Sequence, residues 1–129
     1  MLISPWLDLT MSGNTVSTKA ELDPVVSLEG LEDMAQHYCG NKDKNEVLIS
    51  PLFADLKGLP SILIHVGSDE ILLDDSIRLK NKLSEAGVDV SFKEFPGMIH
   101  VFHHFAAMLD TGKEALVEIG EFLKSKLTR

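Results

Sequence analysis

Cysteine is nearly absent from this sequence of 129 residues, which contains only Cys39. A single thiol excludes an internal disulfide framework. The chain does not start with a charged-then-apolar leader, so a cytoplasmic, reducing setting is the expectation. Residues 1–5 read as the end of a buried strand, and we therefore expect that the residues preceding it in a longer domain have been removed.

Basic residues are also scarce, since 12 Lys and Arg stand against 20 Asp and Glu and give a formal net charge of −8. Nucleic acids and anionic membranes are bound through basic patches that displace their counterions. Non-specific binding to either is therefore not expected. The sequence has no run of about 18 apolar residues, so no membrane span is expected.

A third absence concerns catalysis, because the sequence contains no Gly-x-Ser-x-Gly. That motif forms the sharp strand-to-helix turn that exposes a serine nucleophile. The chain alone is therefore expected to be inactive in serine-dependent covalent catalysis.

Apolar residues alternate between strand-like and helix-like spacing, which indicates a parallel sheet with helices. The short apolar run Ser61–Val66 predicts a central strand that is covered on both faces. Val90–Phe95 is the next strand. The helix between them begins near Asp74, and Gly87 stands where a left-handed cap would end it.

The chain divides into a less regular part and a regular one. Residues 10–58 read as an irregular or helical connection, with one helix from about Ser27 to Tyr38 that Gly40 ends. Residues 59–129 hold strands and helices, the last helix being entered near Thr111 or Lys113. The prediction is an α/β fold of about three parallel strands with flanking helices, in a single unit of residues 1–129.

Two polar stretches follow predicted strands, and between them they hold a histidine and two acids. Gly97-Met98-Ile99-His100 comes after one strand and Gly67-Ser68-Asp69-Glu70 after the other. Open α/β sheets bind ligands at the carboxyl ends of their strands. An imidazole there can take a proton from a hydroxyl and return it to a leaving alcohol, while an acid orients the ring. The pattern predicts two thirds of a nucleophilic triad.

Five stretches, in order along nearly the whole chain, resemble the hormone-sensitive-lipase-like α/β-hydrolases: Leu2–Thr10, Ser50–Leu52, Gly58–Ser61, Gly67–Asp75 and Phe95–His100. The resemblance implies the last three strands of that fold, the C-terminal half of the domain. It also implies a carboxylesterase or lipase with a Ser-acid-His triad and an HGGG-type oxyanion loop. In the family the serine and the oxyanion loop precede this portion, and neither motif occurs here.

The resemblance also separates the two adjacent acids. The family's acid motif resembles acid-x-Leu-x-Asp, which is met from Glu70 by Leu72 and Asp74 but is not met from Asp69. Glu70 is therefore favoured as the triad acid that accepts the ring N–H of His100. Asp69 stays the alternative, because aspartate is the commoner acid in such triads.

The apolar residues that flank the histidine are the candidate substrate-binding residues, since ester pockets are mainly apolar. They are Met98, Ile99, Val101 and Phe102. A small acyl ester is the substrate class that the resemblance implies, and it implies no cofactor.

The other polar residues are predicted to have structural roles. Four acids within residues 69–75 lack the alternate spacing of a metal loop, so no metal is expected. Asp74 and Asp75 are predicted to cap the helix that starts there and to complement its dipole. Asp8 is predicted to make a loop hydrogen bond. The remaining histidines are predicted to be structural: His37, His65, His103 and His104.

Two other functional classes stay open. The same triad can cleave amides or lactones, and a non-catalytic binding or structural module would need no serine.

Loss of an N-terminal half would also leave the first strand with an unpaired edge, so we expect self-association through that edge.

Overall fold

The computed structural model of the chain describes residues 1–127, which contain one three-stranded sheet. The elements, in chain order, are β1 (Leu2–Ile3), α1 (Thr15–Thr18), α2 (Leu28–Cys39), β2 (Ile62–Gly67), α3 (Leu73–Glu85), β3 (Val90–Phe95) and α4 (Asp110–Leu127). Short 3-10 turns cover Pro51–Phe53 and Phe102–Phe105. The predicted α/β fold with three parallel strands is confirmed, and α1 lies in the stretch predicted to be an irregular or helical connection. Within residues 1–127, no helix is long and apolar enough to cross a membrane.

Strand β2 forms the centre of the sheet and pairs in parallel with both neighbours. Its residues from Leu63 to Gly67 are buried, as expected of a strand covered on both faces. Ile3 of β1 lies opposite His65, and Phe95 of β3 lies opposite Gly67. Because the three strands run the same way, their carboxyl ends meet at one edge of the sheet.

Successive side chains of β2 point to opposite faces and bury against different helices. Ile64 packs with Leu79 and Leu83 of α3 in the main apolar cluster. His65 points the other way, and its Nε2 lies 3.6 Å from the Glu118 Oε2 atom of α4. Helices α3 and α4 therefore pack on opposite faces of the sheet.

Helix α2 begins and ends as the sequence predicts. The Ser27 hydroxyl accepts a hydrogen bond from the Gly30 N–H at 3.1 Å, and Gly40 follows the helix with φ of 56°. Its buried face consists of Leu31, Ala35 and Cys39. These lie four residues apart and so form one stripe along the helix.

The two acids at the start of α3 have only one of the two predicted roles. Both lie in the first turn, where a carboxylate suits the positive end of the helix, but neither caps it. Asp75 Oδ2 instead accepts hydrogen bonds from the backbone N–H groups of Leu7 at 2.7 Å and Asp8 at 2.9 Å. Burial nevertheless raises the pKa of Asp75 to about 6. The capping half of the prediction for Asp74 and Asp75 is therefore wrong, whereas both acids do lie where they complement the helix dipole.

Two of the histidines predicted to be structural form a buried pair. His65 Nδ1 and His103 Nε2 lie 3.2 Å apart, beside the rings of Phe95 and Phe102. Burial, together with the neighbouring charges of His65 and His104, lowers the pKa of His103 to about 4. Burial also lowers the pKa of His65. The pair is therefore neutral near pH 7 and ties β2 to the 3-10 turn at residues 102–105.

Gly67, the last residue of β2, touches the backbone of the loop that follows β3. A Cβ atom at this position would lie 2.2 Å from the Met98 carbonyl oxygen and 2.6 Å from its carbonyl carbon. Because backbone atoms cannot rotate away, we expect Gly67→Ala to lower the free energy of unfolding by about 3 kcal/mol in urea denaturation. Gly120→Ala in α4 is the control, since its Cβ would meet nothing within 4 Å and should stabilise by about 0.5–1 kcal/mol. Equal effects of the two substitutions would show that the strand end has room for a side chain.

The neutral His103 should make stability depend on pH. Its pKa falls from an ordinary 6.5 to about 4 in the folded chain, so its contribution is complete above pH 6.5 and is lost as pH falls toward 4. We expect His103→Gln to remove about 2 kcal/mol of the stability difference between about pH 7 and pH 4.5 in urea denaturation. His37→Gln, on an exposed side of α2, should leave the difference unchanged. An unaltered slope in the His103 variant would mean that this ring is protonated in the folded state.

Candidate active site

Three loops converge where the strands end. Ser4 directly follows β1, Glu70 lies in the turn after β2, and His100 lies in the loop after β3. Their side chains and backbone form one connected set of hydrogen bonds. The carboxyl edge of the parallel sheet therefore brings together residues that are far apart in sequence.

Glu70 and His100 form the central contact of this set. His100 Nδ1 lies 2.9 Å from Glu70 Oε2. The Glu70 carboxylate is fully buried, whereas 18% of the His100 side chain is exposed. A carboxylate on Nδ1 holds the ring proton there, which leaves the Nε2 lone pair to accept a proton. The structure thus joins the predicted histidine to the favoured acid in the geometry of an acid–base pair.

The second carboxylate oxygen of Glu70 is also satisfied. Its Oε1 atom accepts hydrogen bonds from the Ser4 hydroxyl at 2.8 Å and from the Gly67 backbone N–H at 2.5 Å. With His100, the carboxylate therefore has three donors from three different segments. This is the pairing that a buried carboxylate requires.

Ser4 is the residue of this site that sequence reasoning missed. Its backbone adopts a φ of 43°, which is unusual for a residue other than glycine. Its hydroxyl also accepts a hydrogen bond from the Val101 N–H at 3.1 Å, and Val101 has a φ of 49°. The signal that could have found it is a small hydroxyl residue directly after an apolar strand end, Leu2-Ile3.

The alternative acid, Asp69, does not meet the histidine. Its Oδ1 atom accepts a hydrogen bond from the Ser68 hydroxyl at 2.9 Å and lies 3.9 Å from Lys19 Nζ. More than a third of the side chain is exposed. Although Asp69 and Glu70 are adjacent, only Glu70 points into the sheet edge, so the structure does not bring the alternative acid to His100.

The four predicted pocket residues have different surroundings. Met98, Ile99 and Phe102 line an apolar cavity of about 400 Å³ together with Phe105, Met108 and Leu109. Phe102 is almost fully buried and belongs to the core beneath this cavity. Val101 is not among the lining residues and contacts the site through its backbone N–H.

A second buried carboxylate fixes the segment that continues from Ser4. Asp8, as predicted, makes loop hydrogen bonds: it accepts from Thr10 and Ser12, and it pairs with Arg78 at 2.9 Å. Burial alone would raise the pKa of Asp8, but the bonds from Ser12, Thr10 and Arg78 outweigh it and hold the pKa below its usual value. Within residues 1–127, no three metal-ligating side chains lie together.

Comparison with known proteins gives concordant matches. The family model for the alpha/beta hydrolase fold matches residues 1–104. An esterase of Acinetobacter venetianus is 41% identical over 126 residues, which are 97% of this chain and 42% of that protein. An acetyl-hydrolase of Streptomyces hygroscopicus is 38% identical over 95% of this chain and 41% of its own length. The chain thus spans about two fifths of the length of these two relatives.

Solved structures agree in both sequence and fold. The crystal structure of an esterase from the bacterial hormone-sensitive lipase family superimposes with a TM-score of 0.95 at 41% identity, over 98% of this chain and 43% of that one. A crystal structure of an esterase/lipase from an uncultured bacterium gives a TM-score of 0.91 at 46% identity, over 96% of this chain and 42% of that one. Since the family model and these structures cover most of its residues, the chain belongs to the hormone-sensitive-lipase-like family of α/β-hydrolases.

Proposed function

We propose that this chain supplies the acid and the general base of a serine carboxylic-ester hydrolase, with Glu70 and His100 in those roles. The observation that carries the proposal is the 2.9 Å contact between His100 Nδ1 and Glu70 Oε2. The carboxylate is buried, and the imidazole lies at the carboxyl edge of the sheet, where open α/β sheets bind their ligands.

In the proposed mechanism, His100 Nε2 takes the proton of a serine hydroxyl as that hydroxyl attacks the ester carbonyl. It then returns the proton to the leaving alcohol, and in the second half of the reaction it activates water. Glu70 keeps the ring in the required tautomer and stabilises the imidazolium that forms. The serine elbow and the HGGG-type oxyanion loop are not among these 129 residues, so the chain alone should be inactive.

The proposed substrate is a small acyl ester, in keeping with relatives that are named esterase and acetyl-hydrolase. Met98, Ile99 and Phe102 line the apolar cavity next to the proposed base, and we propose them as the surface that meets the ester, with Phe102 forming its floor. Val101, also predicted for this surface, contacts the site through its backbone N–H instead. The lone thiol of Cys39 is free and buried, which fits the reducing cytoplasm that we propose as the setting.

A chimeric enzyme tests these roles. We expect the Acinetobacter venetianus esterase, with this chain in place of its matching segment, to hydrolyse p-nitrophenyl acetate. His100→Ala and Glu70→Gln should each lower kcat about 10³-fold, because triad members act as a unit. The 129-residue chain alone should show neither hydrolysis nor labelling by a fluorophosphonate.

The control for this experiment is Asp69→Asn, which removes only the partly exposed contacts of that residue and should keep kcat within about fivefold. A larger loss from Asp69→Asn than from Glu70→Gln would move the acid to the other residue. A kcat loss below about tenfold in His100→Ala would give this histidine a structural role.

Self-association is a second expected property of the isolated chain. In residues 1–127, β1 pairs with β2 on one side only, and an open strand edge invites pairing with another chain. We expect the weight-average mass in sedimentation equilibrium to rise across a concentration series up to about 100 µM, the range in which exposed edges associate. A single monomeric species throughout the series would show that the chain protects its own edge.

A further inference from the structure

The Ser4 hydroxyl lies between the two proposed catalytic residues and touches the segment of each. It donates to Glu70 Oε1 at 2.8 Å and accepts from the Val101 N–H at 3.1 Å. Val101 directly follows His100, so one hydroxyl group sets the position of the acid and the path of the chain that carries the base. Ser4 is itself 4% exposed, which means that water does not readily replace it.

The backbone on both sides of this hydroxyl is held in an unusual conformation. Ser4 and Val101 both have positive φ, at 43° and 49°. Such a conformation is costly for a serine and more so for a β-branched valine, and it persists only where the surroundings impose it. The Ser4 N–H donates to the His65 carbonyl oxygen of β2 at 2.8 Å. The hydroxyl is therefore fixed to the central strand, and the histidine loop is fixed to the hydroxyl.

We propose that Ser4 is a positioning residue for the acid–base pair, which orients the Glu70 carboxylate and holds His100 against it. The inference rests on the proposed function of Glu70 and His100. Ser4 itself takes no part in bond making, because both hydrogen-bonding directions of its hydroxyl are used within the protein.

Two substitutions distinguish the effect of losing the hydroxyl from the effect of relieving the backbone strain. Ser4→Ala removes the hydroxyl and keeps a side chain at positive φ, whereas Ser4→Gly removes the hydroxyl and relieves the strain. Ser50→Ala is a matched control. Ser50 is another fully buried serine, which accepts from the Leu9 N–H at 2.9 Å and donates to the Lys44 carbonyl at 2.6 Å, without contact to Glu70 or His100.

The first readout is the imidazole proton on Nδ1 of His100, followed by NMR in the 129-residue chain labelled with [¹⁵N]histidine. In the unmodified chain we expect a resolved proton that exchanges slowly with water. Ser4→Ala and Ser4→Gly should each speed this exchange about tenfold, the effect of losing one hydrogen bond to a charged group. Ser50→Ala should leave the rate unchanged. Urea denaturation checks that each variant folds. If Ser4→Ala does not fold, Ser4→Gly still tests the loss of the hydroxyl.

The second readout is the chimeric enzyme, in which Ser4→Gly should lower kcat about tenfold at constant KM, with Ser50→Ala within about twofold of the parent. Unchanged exchange and unchanged kcat in both Ser4 variants would overturn the inference and leave the roles of Glu70 and His100 intact. A proton that exchanges equally fast in the unmodified chain and in Glu70→Gln would mean that the pair does not form, and both proposals would then fail.

Discussion

The buried carboxylate of Glu70 is the constraint on which the arrangement of the site depends. An ionised carboxylate that is removed from water and left unpaired costs several kcal/mol or more, of the order that a small domain has in total. Here the donors come from Ser4, from the turn backbone at Gly67 and from His100. Each donor belongs to a different strand end, so satisfying one side chain requires that all three loops take their observed paths.

Strand β2 makes this convergence possible because it is the neighbour of both other strands. Its backbone positions Ser4, since the His65 carbonyl accepts the Ser4 N–H. Its last residue, Gly67, lets the Met98 backbone approach closely. The side chain of His65 reaches to the far face of the sheet and pairs with His103, just beyond the histidine loop. One strand thus determines the position of the acid turn, the β1 exit and the histidine loop.

Features that depend on local sequence could be predicted. The bounds of β3 agree with the prediction, β2 differs by one residue, and the ends of α2 were identified from Ser27 and Gly40. The pairing of His100 with Glu70 was reached through strand order and family resemblance, and the structure brings these two side chains together. Periodicity and capping rules detect such features because they act within a few residues.

Contacts between distant residues could not be predicted in the same way. Ser4 and Glu70 are 66 residues apart, Leu7 and Asp75 are 68 apart, and the His65–His103 pair spans 38. No spacing rule connects such positions, because the sheet alone makes them neighbours. The acids at the start of α3 illustrate this, since their first-turn location is local but their partners are not.

The separation of these contacts along the chain also bears on the order in which the site assembles. The Glu70–His100 contact closes a segment of 30 residues, whereas the Ser4–Val101 hydrogen bond closes one of 97. Loop-closure entropy makes the longer closure about 1 kcal/mol more costly, and contacts of large sequence separation slow folding. The acid and the histidine therefore belong to a compact β2–α3–β3 unit that can form first. The segment at Ser4, which precedes this unit along the chain, is then expected to join later and to complete the site.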